Sequence, residues 1–298
     1  MKIICIGGSC VDYKTSLNGE LLLATTNIVT TKNMLGGVGV NTAINLARLG
    51  AEVIFVSVVG ADLKGSYATN EINKISGIEF FPIVKKYDTG YYFSVHDKHG
   101  ELLIAFADSI GIESIDENDL NKISSLMELA DAVFLETNLN AFAIGKIIQI
   151  ANQKNLDVYL DPVSVPKTQR LSGNTGKIKA FFPNQYEWAF YKENILAADD
   201  ERQINATHQI EIENIVVKRG SIGVDLFHKW DKYASYQVEP VEPVDVTGAG
   251  DAFNSGFIMA DMSGLSHKDC FQLGQEVAVK VLRSTKSHLS EDFRPSID

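Results

Sequence analysis

Short apolar runs rich in β-branched residues alternate along this chain with segments of helical periodicity. The strand pattern KIICIGG (2–8) is followed by the helical pattern GVNTAINLARLG (39–50) and by a second strand pattern, EVIFVSVVG (52–60). A helical pattern follows at 63–77, and further strand patterns lie at 131–137, 156–162, 179–184 and 214–220. This alternation predicts an α/β fold with a mostly parallel sheet and helices on both of its faces.

Two early segments, 13–35 and 87–107, break this alternation because they are extended rather than helical. Within the second, TGYYFSVHDKHGELLIAFAD predicts a hairpin that turns between Asp97 and Gly100. We expect both segments to pair in a small β lid beside the main sheet. The alternative is an ordinary sheet edge without a moving part. No linker or repeat is evident, so we expect residues 1–298 to form a single domain.

Composition excludes several classes of function. The chain has 298 residues and a formal net charge of -11, so it lacks the basic surface that nucleic acid requires. Its three cysteines show no disulfide or metal-ligand spacing. The N-terminal apolar run is too short for a signal peptide, and no run of about 18 apolar residues predicts a membrane span. We therefore expect a cytoplasmic protein with no nucleic-acid or membrane partner.

The segment PVDVTGAGDAFNSGF (243–257) carries the most informative motif, GAGD. The backbone N–H groups of Gly248, Ala249 and Gly250 at a helix start form an anion site, because they lack helical acceptors and carry the positive end of the helix dipole. Such donors stabilise the charge of a transferring phosphoryl group, and Asp251 can accept a hydroxyl proton. The alternative is that Asp251 caps the helix and the glycines form a tight turn.

Two other segments combine glycines or amides with a helix start. GGVGVNTA lets the backbone approach a ligand at Gly37, and Asn41 offers a donor and an acceptor to a hydroxylated ring. In PNQYEW, Asn184 and Glu187 are three residues apart and could orient hydrated Mg²⁺. The alternative for this pair is a capping box. Lys218 lies at a strand end, where it could bind phosphate or remain a surface charge.

The order of four motifs, GGVGVNTAINLARLG, FFPNQYE, VVKRGSIGV and DVTGAGDAFNSGF, resembles the ribokinase-like (PfkB) family of sugar and nucleoside kinases over nearly the whole chain. The resemblance implies a three-layer α/β/α fold with a small β lid, and transfer of the γ-phosphoryl group of Mg-ATP to a substrate hydroxyl. It implies that Asp251 is the catalytic base and that residues 248–250 form the anion hole. Asn184 and Glu187 match the family element for phosphate and Mg²⁺, the latter held through water.

The remaining matched positions imply binding roles. Those implied for the nucleotide are Asn184, Lys218, Gly220 and Gly223, and those implied for substrate hydroxyls are Asp12, Gly37 and Asn41. Asp245 and Thr247 match positions near a monovalent cation site, for K⁺, that many members have. The exposed edges of the lid strands predict a homodimer formed through the lid.

Within the family, GGVGVN, DPVS (161–164) and LETNL (135–139) resemble the pseudouridine kinases. Those kinases tend to carry Arg where this chain has Val40, and Asn where it reads ADSIGI. Ribose, fructose-like sugars and other nucleosides therefore stay open as substrates. A catalytically silent metabolite-binding module stays open too, because a fold alone does not decide function. A Rossmann oxidoreductase is disfavoured, because the GxGxxG motif after the first strand is missing.

Overall fold

A computed structural model describes residues 1–196 and 210–294 of the chain. Its strands are β1 Lys2–Ile6, β2 Cys10–Leu17, β3 Val29–Gly36, β4 Glu52–Gly60, β5 Ile78–Lys85, β6 Tyr91–His96, β7 Leu102–Asp108, β8 Ala132–Glu136, β9 Asp157–Asp161, β10 Gly176–Phe181, β11 Ile210–Lys218, β12 Val224–His228 and β13 Asp231–Tyr236. The main sheet has the order β13-β12-β11-β10-β9-β8-β1-β4-β5. Strands β11 to β5 of that order pair in parallel, and β12 and β13 add an antiparallel edge. The predicted mostly parallel sheet is confirmed.

Helices cover both faces of this sheet, because successive side chains of a strand point to opposite sides. In β1, Ile3 and Cys5 belong to one hydrophobic core and Ile4 and Ile6 belong to another. The helices are α1 Val38–Arg48, α2 Leu63–Ile72, α3 Glu117–Met127, α4 Ala141–Gln153, α5 Val165–Thr168, α6 Gln185–Tyr191, α7 Ala249–Met262 and α8 His267–Leu282. Helices α1, α2, α7 and α8 supply the first core, and α3, α4 and α6 supply the second. The predicted three-layer architecture is confirmed.

A second, four-stranded sheet has the order β3-β2-β6-β7 and is called the lid sheet below. Strands β2 and β3 pair antiparallel, as do β6 and β7, and β2 and β6 join the two hairpins in parallel. The turn after His96 closes with a hydrogen bond from the Asp97 N–H to the Glu101 carbonyl. The predicted extended segments therefore supply these four strands, although 18–28 forms a connection rather than a strand.

The sequence interpretation differs from the structure at several boundaries. The helix predicted over 63–77 ends at Ile72, and the strand predicted over 179–184 begins at Gly176 and ends at Phe181. Strand β5 was missed because Pro82 interrupts its apolar run, as edge strands permit. The antiparallel edge strands β12 and β13 were also missed. Only Val224 and Leu226 are buried in these strands, and their other residues are exposed or half-buried. Within the described residues, no helix combines the length and the apolar character that crossing a bilayer requires.

Candidate active site

The site lies at the carboxyl edge of the main sheet, where the segments after β1, β8, β9 and β11 meet the N-termini of α1 and α7. Ligands of open α/β sheets bind at this edge. Gly8 follows β1, Asn138 follows β8, and Asp161 ends β9. The polar and glycine residues that the sequence places after these strands thus come together in space.

Helix α7 begins in the tight turn that the GAGD motif predicts. Gly248 is the N-cap residue, with φ +78°, and a Cβ there would lie 2.2 Å from the carbonyl oxygen of Ser287. Only glycine adopts this backbone without strain. The Ala249 N–H makes a long 3.4 Å bond to the Val246 carbonyl, and Asp251 lies in the first turn. The turn thus presents backbone N–H groups and a carboxylate at one helix end.

Asp251 is held by a short chain of hydrogen bonds. The amide Nδ2 of Asn41 donates to Asp251 Oδ2 at 2.9 Å, and the Ser287 hydroxyl donates to Asn41 Oδ1 at 3.0 Å. Burial raises the pKa of Asp251 to about 7, and the charge of Asp161 adds to the rise, while Asn41 and Lys218 oppose it. A carboxyl group with this pKa can accept and release a proton near neutral pH.

Asp161 is a connecting residue that the sequence interpretation did not single out. Its Oδ2 accepts from Lys218 Nζ at 2.9 Å and from Asn254 Nδ2 at 2.7 Å, and Lys218 Nζ also donates to Asn254 Oδ1 at 3.1 Å. Asp161 is 5% exposed. A Cβ on Gly250 would lie 3.7 Å from Lys218 Nζ. This network therefore fixes the lysine ammonium beside the start of α7.

A cavity of about 410 Å³ opens between the lid sheet and the main sheet, and we call it the lid-side cavity. The cavity is lined by the three residues that the resemblance implies for substrate hydroxyls, Asp12, Gly37 and Asn41. Gly248 and Asp251 line it as well. Burial raises the pKa of Asp12 to about 6, against an opposing hydrogen bond from the Cys10 thiol.

Close backbone packing explains the glycines of the GGVG segment. Gly37 has φ +112°, and a Cβ there would lie 2.6 Å from the Gly8 carbonyl oxygen. A Cβ on Gly39 would lie 2.6 Å from the carbonyl carbon of Gly7. The start of α1 thus packs directly on the turn after β1, which brings Asn41 to the cavity. Val40 points the other way and is fully buried in the core.

Lys167 and Asn138 also line the lid-side cavity, and the sequence analysis missed both. The Lys167 ammonium donates to Asn138 Oδ1. Burial lowers the pKa of Lys167, and the charge of buried Glu136 opposes that effect. Glu136 Oε1 accepts from the Gly8 N–H and its Oε2 accepts from the Asn138 N–H, each at 2.6 Å. Asn138 directly follows the strand predicted over 131–137, which was the available signal, whereas Lys167 lies in α5 and had no such signal.

A second cavity, of about 420 Å³, lies between α7, α8 and the β11–β12 turn, and we call it the helix-side cavity. Lys218, Gly220 and Gly223 line it, as the resemblance implies. Gly223 has φ +120°, and a Cβ there would lie 2.0 Å from the Tyr236 carbonyl oxygen. The rest of its lining is largely apolar and includes Val224, Val238, Val241, Val246, Phe253, Ala278, Val279 and Leu282.

Asn184 and Glu187 form the capping box of α6, the alternative considered for this pair. Asn184 Oδ1 accepts from the N–H groups of Tyr186 and Glu187, at 2.9 and 3.0 Å, and Glu187 Oε2 accepts from the Asn184 N–H at 2.7 Å. Burial raises the pKa of Glu187, and the charge of Asp161 adds to the rise. Asn184 pairs through its backbone with Lys218, so the box adjoins the site.

The capping box restricts how this pair could hold Mg²⁺. One oxygen of each side chain is already an acceptor in the box, so direct coordination by both fits poorly. Within residues 1–196 and 210–294, no group of three or more His, Cys, Asp or Glu side chains could hold a metal ion. The donor set fits a hydrated ion held through water, because Mg²⁺ usually keeps several waters.

Asp245 and Thr247 match positions near a monovalent cation site, but in this structure Asp245 accepts hydrogen bonds from groups of the chain itself. Asp245 Oδ1 accepts from the Thr247 N–H at 2.9 Å, and its Oδ2 accepts from Lys14 Nζ at 2.7 Å. Lys14 lies on β2 of the lid sheet. Both carboxylate oxygens of Asp245 thus have donors from this chain, and the donor set fits an added monovalent cation poorly.

Comparison with known proteins places this geometry in a family. The family model described as pfkB family carbohydrate kinase matches residues 2–293. The pseudouridine kinase of Escherichia coli (strain K12) is 27% identical over 279 residues, covering 92% of this chain and 88% of the relative.

Solved structures agree in fold. A carbohydrate kinase from Agrobacterium tumefaciens has a TM-score of 0.81 at 25% identity and covers 98% of this chain and 94% of its own. An Arabidopsis thaliana ribokinase complexed with ribose and ATP has a TM-score of 0.74 at 20% identity, with 96% and 93% covered. The chain therefore belongs to the pfkB family of carbohydrate kinases and is a kinase with the ribokinase-like fold.

Proposed function

We propose that this protein transfers the γ-phosphoryl group of ATP to a hydroxyl of a sugar or nucleoside, with residues 1–298 acting as one kinase domain. One observation carries the proposal: the turn at the start of α7 is shared by two cavities. Gly248 and Asp251 line the lid-side cavity, and Ala249 and Gly250 line the helix-side cavity. A phosphoryl group held at this turn lies between a hydroxyl donor on one side and a nucleotide on the other.

The reaction assigns a role to each group at the turn. The substrate hydroxyl oxygen forms a bond to the γ-phosphorus, its proton passes to Asp251, and the bond from that phosphorus to the β,γ-bridging oxygen breaks to release ADP. The N–H groups of residues 248–250 donate to the equatorial oxygens as negative charge develops on them. Asn41 keeps the carboxylate of Asp251 aligned through its 2.9 Å hydrogen bond.

The helix-side cavity suits a nucleotide. Its apolar lining accepts a purine ring, and Lys218 beside Gly250 supplies an ammonium near the phosphates. Gly223 lets the backbone approach closely, since a side chain there would overlap Tyr236. Mg²⁺ bound with ATP would supply positive charge next to the phosphates, where Asp161, Glu187 and Asp251 otherwise contribute negative charge. Glu187, through water, is the residue that would hold it.

We propose pseudouridine as the substrate, with ribose, a fructose-like sugar or another nucleoside as the alternative. The relative from Escherichia coli supports this choice, as do Lys167 and Asn138, whose ammonium and amide can bond to carbonyl and N–H groups of a uracil-like ring. Val40 does not count against it. Because that side chain is fully buried in the core, its identity removes no contact from the cavity.

The lid is proposed to close over the acceptor and to join two copies of the chain in a cytoplasmic homodimer. Leu102, Ile104 and Phe106 on β7 are each about half exposed, and their strand is an edge of the lid sheet. Apolar side chains on an open edge favour pairing with a second copy. Slower hydrogen exchange in 13–35 and 87–107 on substrate binding supports closure. A monomer in light scattering contradicts the dimer.

The first experiment measures ADP release with Mg²⁺, ATP and a panel of pseudouridine, uridine, other nucleosides, ribose and fructose. Selective turnover of pseudouridine supports the full proposal, and turnover of another acceptor keeps the mechanism but replaces the substrate. No turnover with any acceptor, in a protein that binds one of them by calorimetry, favours the catalytically silent module. Lys167→Met should raise KM for nucleosides more than for ribose, because ribose has no base to contact.

A further inference from the structure

The lid sheet and the turn before α7 are joined by an ion pair whose partners are 231 residues apart. Lys14 Nζ lies 2.7 Å from Asp245 Oδ2, with the carboxylate side chain 15% exposed and the lysine side chain 40% exposed. Both line a cavity of about 510 Å³ between the lid sheet and residues 243–247. The pair spans the boundary between the part of the molecule that covers the substrate and the part that holds the phosphoryl group.

Asp245 controls the geometry of that turn. Its Oδ1 accepts from the Thr247 N–H, which fixes the chain one residue before Gly248, the N-cap of α7. The Asp245 side chain is only 15% exposed, and a carboxylate in such a partly buried place needs a compensating positive charge. The Lys14 ammonium supplies that charge at 2.7 Å.

We infer that the Lys14 ammonium is the resident cation of this turn, so that the protein needs no added monovalent cation and the lid itself holds the anion hole in shape. The inference rests on the proposed function, because the anion hole is part of it. A free cation at Asp245 would lie against the lysine ammonium at close range and would have to displace it. Lys14 is thus a positioning residue, which acts on residues 248–250 through Asp245.

The test removes the charge and keeps the length of the side chain. We compare wild type, Lys14→Met and Lys14→Arg in tetramethylammonium, Na⁺, K⁺ and NH₄⁺ chlorides at a constant ionic strength of about 0.1 M, which fixes general screening. Wild type and Lys14→Arg should show kcat within about twofold in all four salts. Lys14→Met should lose about tenfold or more of kcat in tetramethylammonium and recover most of it in K⁺ or NH₄⁺, with little change in KM.

Lys32 provides a matched control. It is the cross-strand partner of Lys14 in the lid sheet, and its side chain is exposed. Lys32→Met changes the charge of the lid sheet by the same amount, and its kcat should be nearly equal in the four salts. The kcat of the double variant Lys14→Met, Asp245→Asn should also be nearly equal in them, because the carboxylate that attracts the cation has been removed.

A stability readout separates this inference from the proposed activity. The midpoint of thermal unfolding of Lys14→Met should rise in K⁺ relative to tetramethylammonium, while that of wild type should not, since a cation that binds the native state stabilises it. This result supports the inference even if no acceptor in the panel is phosphorylated. Activation of wild type by K⁺ of about tenfold or more overturns the inference. So does a Lys14→Met protein whose stability and turnover are indifferent to K⁺.

Discussion

Replacing Asp251 with Asn should stabilise the protein at alkaline pH while it abolishes most of its turnover. Burial and the charge of Asp161 raise the pKa of Asp251 from 3.8 to about 7, a rise of roughly three units. Each unit corresponds to about 1.4 kcal/mol, so the ionised carboxylate destabilises the native state by at most about 4 kcal/mol. The side chain is partly exposed, and solvent screening reduces this to about 2 kcal/mol.

The sign of the pH dependence follows from proton binding. Between the unfolded pKa near 4 and the folded pKa near 7, the native state binds more protons than the unfolded chain, so the contribution of this group to stability is present at low pH and is lost as pH rises. Asp251→Asn has no such group. Its free energy of unfolding, relative to wild type, should therefore rise by about 2 kcal/mol between about pH 4.5 and pH 8.

The assay is urea unfolding of both proteins across this pH range, read as the difference in free energy of unfolding. In parallel, kcat/KM of wild type should rise with pH through an apparent pKa near 7, and the variant should lose roughly 10²–10⁴-fold in kcat. Asp261→Asn is a matched control on the same helix, since Asp261 accepts the Tyr159 hydroxyl away from both cavities. It should leave kcat unchanged.

Two results would refute this reasoning. If the difference in free energy of unfolding between Asp251→Asn and wild type does not change with pH, the folded protein does not raise the pKa of Asp251. Near-normal turnover of the variant would show that another group takes the proton. The two observations are independent, so the electrostatic argument can fail while the catalytic one holds.

Three further substitutions test the packing of the site. Gly248→Ala should lower the free energy of unfolding by roughly 2–3 kcal/mol and reduce kcat, since the new Cβ meets the Ser287 carbonyl at positive φ; urea unfolding and turnover check this. Lys218→Met should lower the free energy of unfolding by roughly 2–4 kcal/mol, because it leaves the buried Asp161 without its ammonium partner. It should also shift the rise of kcat/KM with pH to above pH 7, because the lysine charge opposes the rise in the pKa of Asp251. Val40→Arg should destabilise by about 3 kcal/mol or more without changing the order of substrate preference in the turnover panel, because it buries a charge in the core.

The sequence alone predicted the main sheet and the extended segments of the lid. Apolar runs of period two and helices of period 3.6 are local signals, and a parallel sheet brings the ends of its strands together. The roles of Asn41, Lys218 and Asp251 in one site came instead from the resemblance of four ordered motifs to the pfkB family. Asp161 ends one of the same strands, but its hydrogen bonds to Lys218 and Asn254 depend on side-chain directions that a strand pattern does not specify.

Contacts between distant segments were beyond the reach of sequence patterns. The pair of Lys14 with Asp245 depends on how the lid sheet lies over the α7 turn, and neither residue carries a local signal for the other. Asn184 and Glu187 show the opposite case. Their spacing fits a capping box and a phosphate site equally well, and the structure shows that the capping role is filled.

The charges of the site determine how a nucleotide can bind there. Asp161, Glu187 and Asp251 lie close enough that the charge of Asp161 raises the pKa of both others, while Lys218 is the ammonium bonded to Asp161. The negative charge of these carboxylates, which Lys218 only partly offsets, repels a bare triphosphate, which carries about four negative charges of its own. The N–H groups of the α7 turn offset part of that repulsion, each through a partial charge. ATP must therefore bring its own cation, and its affinity for this protein should fall steeply when divalent ions are chelated.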